Sequence, residues 1–427
     1  MSFTASTYQN PYLHAGATEV HAVVTVTGTG EVVVGAPPER AVALIIDTSG
    51  SMAHPEAKIR AARQAAAAAV ENVPDGTWFG VVSGSHVAHW VYPGGSDLAR
   101  ADERTRSEAV SAVRALAAEG GTAISTWLDL ARTAFDLHPG AIRLAYLLTD
   151  GRNESEKRSQ LEAALARCAG VFQCDARGIG TDWDVSELRL ITSSLLGEVD
   201  LIAAPDDMDD DFRAFLDRAI GKDVADVRLR LWAPQGSSVR FVRQVAPSIE
   251  DLTAKAAPVN PLTNDFPTGA WGGGESRDYH VCVDVPPGEV GDEKLAARVS
   301  LVIDGQPVSQ ALVKAIWTED EALSARISPE VAHYTGQAEL AEAIHDGLEA
   351  RKQGDIEGAT VKLGRAVQLA HQSGNEGTVR LLKKVVDVED PATGTVRVKR
   401  NVDTVDEMAL DTRSTRTVRV AAKPAGS

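Results

Sequence analysis

The amino-acid sequence predicts an α/β chain: a doubly wound, mostly parallel sheet inserted in a β-sandwich and followed by a C-terminal helical hairpin. Three observations carry this. Between residues 41 and 221 short apolar runs alternate with helical stretches, the pattern of a parallel sheet covered on both faces. After Gly221 the helices stop and strands with period-2 alternation take over, as in Val227-Arg-Leu-Arg-Leu-Trp232. From residue 319 two long amphipathic stretches return. The expected segments are N-terminal strands over 1–36, the α/β domain over 37–221, the sandwich over 222–318, a helical region over 319–390 and a flexible tail over 391–427.

The first segment, 20–34, reads as two β-branched runs around Gly28-Thr29-Gly30, a hairpin signal. A lone hairpin is marginal, so it is expected to join the later sandwich, which makes the α/β domain an insertion. In that domain Ala41-Val-Ala-Leu-Ile-Ile46 is continuously apolar, as expected of a strand buried on both faces. Further strands are expected over 78–83, 87–91, 143–148, 171–179 and 199–203. Helices are expected over 55–71, 102–118, 124–136, 156–169, 184–194 and 206–220. The last begins with five Asp around Met208, which reads as carboxylates favoured by a helix N-terminus. In the sandwich, Pro234-Gln-Gly236, Gly272-Gly-Gly274, Pro286-Pro-Gly288 and Asp304-Gly305 separate the strands. The helical stretches 329–353 and 356–372 meet at Gly354-Asp355. Residues 391–427 carry seven basic and four acidic residues and six Thr, which reads as a solvated tail.

Composition narrows the function classes. The 427 residues hold 43 Lys and Arg against 60 Asp and Glu, a net charge of −17. Electrostatic binding to nucleic acid or an anionic membrane is thereby disfavoured. No apolar run approaches the roughly 20 residues that span a bilayer. Cys168, Cys174 and Cys282 are too few for a disulfide scaffold. The polar start lacks a secretory pattern, and a reduced, cytoplasmic setting is expected.

The residues that carry chemistry follow the first buried strand: Asp47-Thr48-Ser49-Gly50-Ser51. Alternating oxygen side chains in a tight loop can turn toward one point, and in an open α/β sheet ligands bind beyond the strands' carboxyl ends. Gly120-Gly121-Thr122 and Thr149-Asp150-Gly151 supply two further oxygen-bearing loops. The set holds no thiolate or imidazole, so it suits hard cations, Mg²⁺ or Mn²⁺, which favour six oxygen ligands including water.

Asp47, Ser49, Ser51, Thr122 and Asp150 resemble the metal-ion-dependent adhesion site of von Willebrand factor type A domains, whose pattern is Asp-x-Ser-x-Ser followed by a distant Thr and a distant Asp. The resemblance implies a doubly wound sheet. It also implies a metal touched by Ser49, Ser51 and Thr122, aspartates acting through water, and an open position for a partner's Asp or Glu. It implies a non-catalytic adaptor or regulatory role among bacterial cytoplasmic members. In such members the partners include Ser/Thr kinases, phosphatases, phosphopeptide-binding modules and ring ATPases. The alternatives are a metal-assisted hydrolase and a scaffold whose metal site is degenerate.

His54, His86 and His89 lie near these loops, but no Gly-x-Ser-x-Gly elbow accompanies them, and they read as surface or packed residues. Cys168 and Cys174 read as buried small hydrophobes. In the tail, Asp411-Thr-Arg-Ser-Thr-Arg-Thr417 alternates hydroxyls with arginines. This makes Thr412, Ser414, Thr415 and Thr417 candidate phosphorylation sites.

Overall fold

The computed structural model describes residues 1–30 and 38–420. The chain divides into two compact units, one of residues 34–225 with 269–272, the other of 1–33, 226–268 and 273–427.

The α/β unit is built on the strand Arg40–Asp47, buried at every position but its first. It pairs in parallel with Trp78–Gly84 on one side and Ile142–Thr149 on the other. Gln173–Ile179 and Val199–Ile202 extend the sheet in parallel, while Ala88–Tyr92 and the short Ala99–Arg100 add to Trp78–Gly84 in the antiparallel sense. The continuous apolar run needs cover on both faces, and receives it. Val42, Leu44 and Ile46 share a core with helices Ala57–Glu71, Glu103–Arg114 and Met208–Ile220. Ala43 and Ile45 point the other way and are equally buried. Register aligns Asp47 with Gly84 and Ile46 with Leu148. The carboxyl ends of three strands therefore stop at one edge.

The second unit holds two sheets. One has the order Ser2–Tyr8, Glu19–Thr29, Ser276–Asp284, Ser238–Ala246, Glu250–Asp251; the other carries Ala257–Asn260, Thr263–Gly272, Lys222–Trp232, Glu293–Ile303, Gln306–Thr318 and Tyr12–His14. The strand Glu19–Thr29 thus joins the sandwich before the α/β unit begins. The expected turn at Gly28-Thr29-Gly30 does not form. The strand runs through Gly28, whose N–H donates to Glu275 O at 2.8 Å, and its partners are Ser2–Tyr8 and Ser276–Asp284. The Ser/Thr-rich start hid a strand because only Phe3 on it is deeply buried. The second arm expected over 31–34 lies outside the described residues.

Helices Pro329–Lys352 and Ile356–Gln372 form the expected hairpin, with Tyr334 packed among Val23, Val245 and Ala246 of the sandwich. The expectation of a flexible tail from 391 is corrected. After helix Glu376–Val385, the strands Val386–Asp390 and Thr395–Val398 pair, and helix Thr404–Arg413 starts on an Asp403 cap. Val396, Val398 and Leu410 enter one core with Leu340, Leu363 and Leu382. Gly364 packs against Gly394 so closely that a Cβ there would stand 2.4 Å from Gly394 O. Spacing, not average composition, decides this segment: Val at alternate positions and a capped helix bury apolar surface that a count of charges overlooks. Among the described residues no helix is long and apolar enough to cross a membrane.

Candidate functional site

Asp47 ends the central strand with no exposed surface. Its Oδ1 accepts from the Ser49 N–H at 2.7 Å and its Oδ2 from Thr149 Oγ1 at 2.5 Å, so one carboxylate ties two strand ends. Burial pushes its carboxyl up to about 6, opposed by those hydrogen bonds. The following loop is clamped to the Gly120 loop: Gly50 N–H donates to Gly120 O at 2.9 Å and Glu119 N–H to Thr48 O at 2.7 Å. Thr48 faces inward, its hydroxyl 2.7 Å from Ser83 Oγ, which leaves Ser49 and Ser51 as the outward oxygens of the motif.

These oxygens meet. Ser49 Oγ lies 3.0 Å from Ser51 Oγ, and Ser51 Oγ donates to Asp150 Oδ1 at 2.6 Å across 99 residues of sequence. Thr122 is held by its N–H donating to Ser155 Oγ at 3.0 Å. Its hydroxyl and that of Ser51 both flank Gly151, where a Cβ would stand 3.1 Å from Ser51 Oγ and 3.8 Å from Thr122 Oγ1. The five residues named from sequence therefore converge, Asp47 and Asp150 as buried carboxylates beneath and Ser49, Ser51 and Thr122 lining the pocket above. An open pocket of about 440 Å³ lies over them, lined by Ser49, Ser51, Thr122, Gly151, Arg152 and Asp182.

Sequence reasoning missed one member. Lys58, in the first turn of helix Ala57–Glu71, donates to Asp150 Oδ2 at 2.6 Å, and only 11% of its side chain is exposed. Asp182, 77% exposed, lies 4.0 Å from the same ammonium. The signal available was a lysine seven residues after Ser51, in the first turn of the helix that follows the serine loop. The donor set fits a hard divalent cation. Neutral hydroxyls from Ser49, Ser51 and Thr122 adjoin two carboxylates, Asp150 has one oxygen toward the hydroxyls, and no soft ligand intrudes.

The hydroxyls of Ser49 and Ser51 partner each other and Asp150, while His54, His86 and His89 are exposed. A Ser–His pairing of the kind nucleophilic catalysis needs is not what these serines make. Cys168 and Cys174 are buried, as expected. The acidic first turn of Met208–Ile220, the closing helix of the α/β unit, does more than favour its dipole. Asp211 accepts from the Tyr146 hydroxyl at 2.6 Å and from Arg177 Nε at 2.9 Å, bolting that helix to the sheet.

The candidate phosphorylation sites are placed otherwise than expected. Thr412 and Ser414 are buried, and Ser414 Oγ donates to Asp411 O at 2.7 Å. Thr417 Oγ1 donates to Val245 O at 2.6 Å, and Thr415 O accepts from Ile249 N–H at 2.8 Å. The solvated segment that reading required is instead laced onto a sandwich strand and the loop after it.

An open, doubly wound sheet with Ser, Thr and Asp oxygens gathered at its carboxyl edge places the chain in a class of α/β proteins that is typically used for interaction. The chain belongs to the von Willebrand factor type A family. Residues 40–199 match the von Willebrand factor type A domain and residues 368–414 the von Willebrand factor type A C-terminal domain. A solved von Willebrand factor type A structure from Catenulispora acidiphila is 49% identical, over 98% of this chain and 97% of its own, with a TM-score of 0.94. The ArnB paralog VWA2 from Sulfolobus acidocaldarius shares the fold at 16% identity, over 98% and 99% of the two chains, with a TM-score of 0.56. The human COPII-coat protein Sec24c does so at 11% identity, over 89% of this chain and 57% of its own, with a TM-score of 0.51. No curated protein sequence matches at a significant level. Domains of this family are typically interaction modules and commonly bind a divalent metal.

Proposed function

We propose that the chain is a non-catalytic, metal-dependent protein-binding module, an adaptor or regulatory component of an intracellular complex. In this reading Ser49, Ser51 and Thr122 hold Mg²⁺ or Mn²⁺, with Asp47 and Asp150 fixing their orientation. When bound, the ion supplies a Lewis-acidic site for an Asp or Glu of a partner protein. The single observation that supports it most is the Ser49–Ser51–Asp150 chain of contacts at 3.0 and 2.6 Å beneath an open pocket. Hydroxyls are weak donors of charge, so a cation held by them keeps attraction for an incoming carboxylate. The chain's own part is positional: the Asp47 brace holds the serine loop, the Gly120 clamp holds Thr122 near it, and Lys58 offsets Asp150. Kinases, phosphatases, phosphopeptide-binding modules and ring ATPases of the native host are the partners to screen first.

Affinity capture from host lysate, with EDTA and with Mg²⁺, tests this. The expected outcome is a partner retained in Mg²⁺, released by EDTA, and not captured by Ser51→Ala or Thr122→Ala variants that remain cooperatively folded. Capture undiminished by EDTA overturns the reading.

A further inference from the structure

A second cluster of ligand-type side chains lies in the sandwich, and its chemistry is unlike that of the α/β unit. Strand alternation puts Glu19 and His21 on one face of Glu19–Thr29. Antiparallel register places Cys282 directly opposite His21, and Phe241 opposite Cys282 on the next strand. The face therefore gathers a carboxylate, an imidazole and a thiol. Cys282 Sγ stands 3.7 Å from Glu19 Oε1 and 3.9 Å from His21 Nε2, and the carboxylate and imidazole are 2.6 Å apart. All three ligand atoms lie within 4.8 Å of one another.

We propose that Glu19, His21 and Cys282 form a zinc site with three protein ligands and a fourth position open to water. A tetrahedral zinc with bonds of about 2.3 Å to sulfur and about 2.0–2.1 Å to nitrogen or oxygen sets its S and N ligands about 3.5 Å apart, and its N and O ligands about 3.3 Å apart. The two edges to sulfur already match within about 0.4 Å, and the Glu19–His21 hydrogen bond opens by about 0.7 Å to admit the ion. The surroundings orient the ligands as metal sites require. His21 Nδ1 lies 3.0 Å from Nε2 of His280, which is 6% exposed, so a proton on Nδ1 leaves Nε2 free for the metal. Glu19 Oε2 is held by Arg240, which also bonds Asp284 at 2.6 Å, so Oε1 alone is presented to the cluster. Cys282 is fully buried, whereas the side chains of Glu19 and His21 are 41% and 35% exposed, which gives the fourth position access to water. Zinc displaces the thiol proton to solvent, and the thiolate and carboxylate then balance its charge. Mixed N, S and O donors favour Zn²⁺ over the hard cations proposed for the α/β unit.

Cobalt(II) is the probe, added to the full chain under reducing conditions with excess Mg²⁺ to saturate any hard-cation site. The expected result is a thiolate-to-cobalt charge-transfer band with intense visible absorption of tetrahedral type, bleached stoichiometrically by Zn²⁺. Cys282→Ser abolishes the charge-transfer band. His21→Gln and Glu19→Gln, at partly exposed positions, weaken Co²⁺ binding at least tenfold. Cys168→Ser and Ser51→Ala leave the spectrum unchanged, which separates this site from the one beside Asp150. Absence of the band in the native chain, its survival in Cys282→Ser, or unchanged Co²⁺ affinity in both glutamine variants overturns the proposal.

Discussion

Replacing Lys58 by Met tests how the chain balances the Asp150 carboxylate. Lys58 Nζ stands 2.6 Å from Asp150 Oδ2, with 11% of the lysine side chain and none of the aspartate side chain exposed. The nearest other acid, Asp182, is at 4.0 Å and well solvated, so the ammonium serves chiefly Asp150. Removing one partner of a buried pair leaves an uncompensated charge and costs about 3–5 kcal/mol. The low end applies, because Ser51 still donates to Asp150 Oδ1. About 3 kcal/mol corresponds to a fall in Tm of about 6–12 °C for a unit of this size. That loss is expected in EDTA. A divalent cation at the serine cluster supplies the missing positive charge, so Mg²⁺ is expected to restore a large part of it. Recovery of about 1.4 kcal/mol means tenfold tighter binding of Mg²⁺ by the variant than by the native chain. Thermal melts across a Mg²⁺ series, with isothermal titration of both proteins, measure both quantities. Lys58→Met that melts like the native chain in EDTA, or that binds Mg²⁺ no tighter, refutes the reasoning.

Other residues separate bracing from ligation. Asp47→Ala strands two donors, Ser49 N–H and Thr149 Oγ1, and is expected to cost about 2–4 kcal/mol even in EDTA; Ser51→Ala removes one donor to Asp150 while Lys58 remains, so it is expected to cost only about 1 kcal/mol in EDTA yet removes the Mg²⁺ response, and equal melts for the two variants contradict the assignment. Asp211→Ala removes the nearer carboxylate from Arg177, whose side chain is 3% exposed and keeps Asp175 at 3.7 Å. It is expected to cost about 3 kcal/mol, with hydrogen-exchange protection lost from Met208–Ile220 before the central strand. Leu410→Ala opens a cavity in the C-terminal core and is expected to cost about 2–4 kcal/mol in denaturant melts, whereas a solvated tail predicts no change.

What the sequence disclosed and what it withheld divide along the range of the interactions. The Asp47 loop was legible because the apolar run Ala41–Ile46 identifies a doubly covered strand, and such a strand has only one end at which ligands gather. Thr122 and Asp150 were legible for the same reason, each lying in a loop at that edge. Lys58 was far fainter, since its partner is 92 residues away and only its place seven residues after Ser51, as the one lysine of an alanine-rich helix, marks it. Asp211 carried a fainter signal: Met208, Phe212 and Phe215 mark the inward stripe of the closing helix, and Asp211 adjoins it, but an acidic run masks one inward member.

The same division separates the two proposed cation sites. Hard oxygens were brought together by a parallel edge, where every strand contributes its own carboxyl end, so each contributing loop announces itself as a motif. Glu19, His21 and Cys282 are brought together by antiparallel register, in which Glu19 and His21 alternate visibly but Cys282 meets them only through the pairing His21↔Cys282. A shift of that strand by a single residue turns the thiol to the opposite face. The zinc site is therefore as sensitive to register as the magnesium site is to loop sequence: a displaced register leaves all three ligand residues in the chain and removes the site.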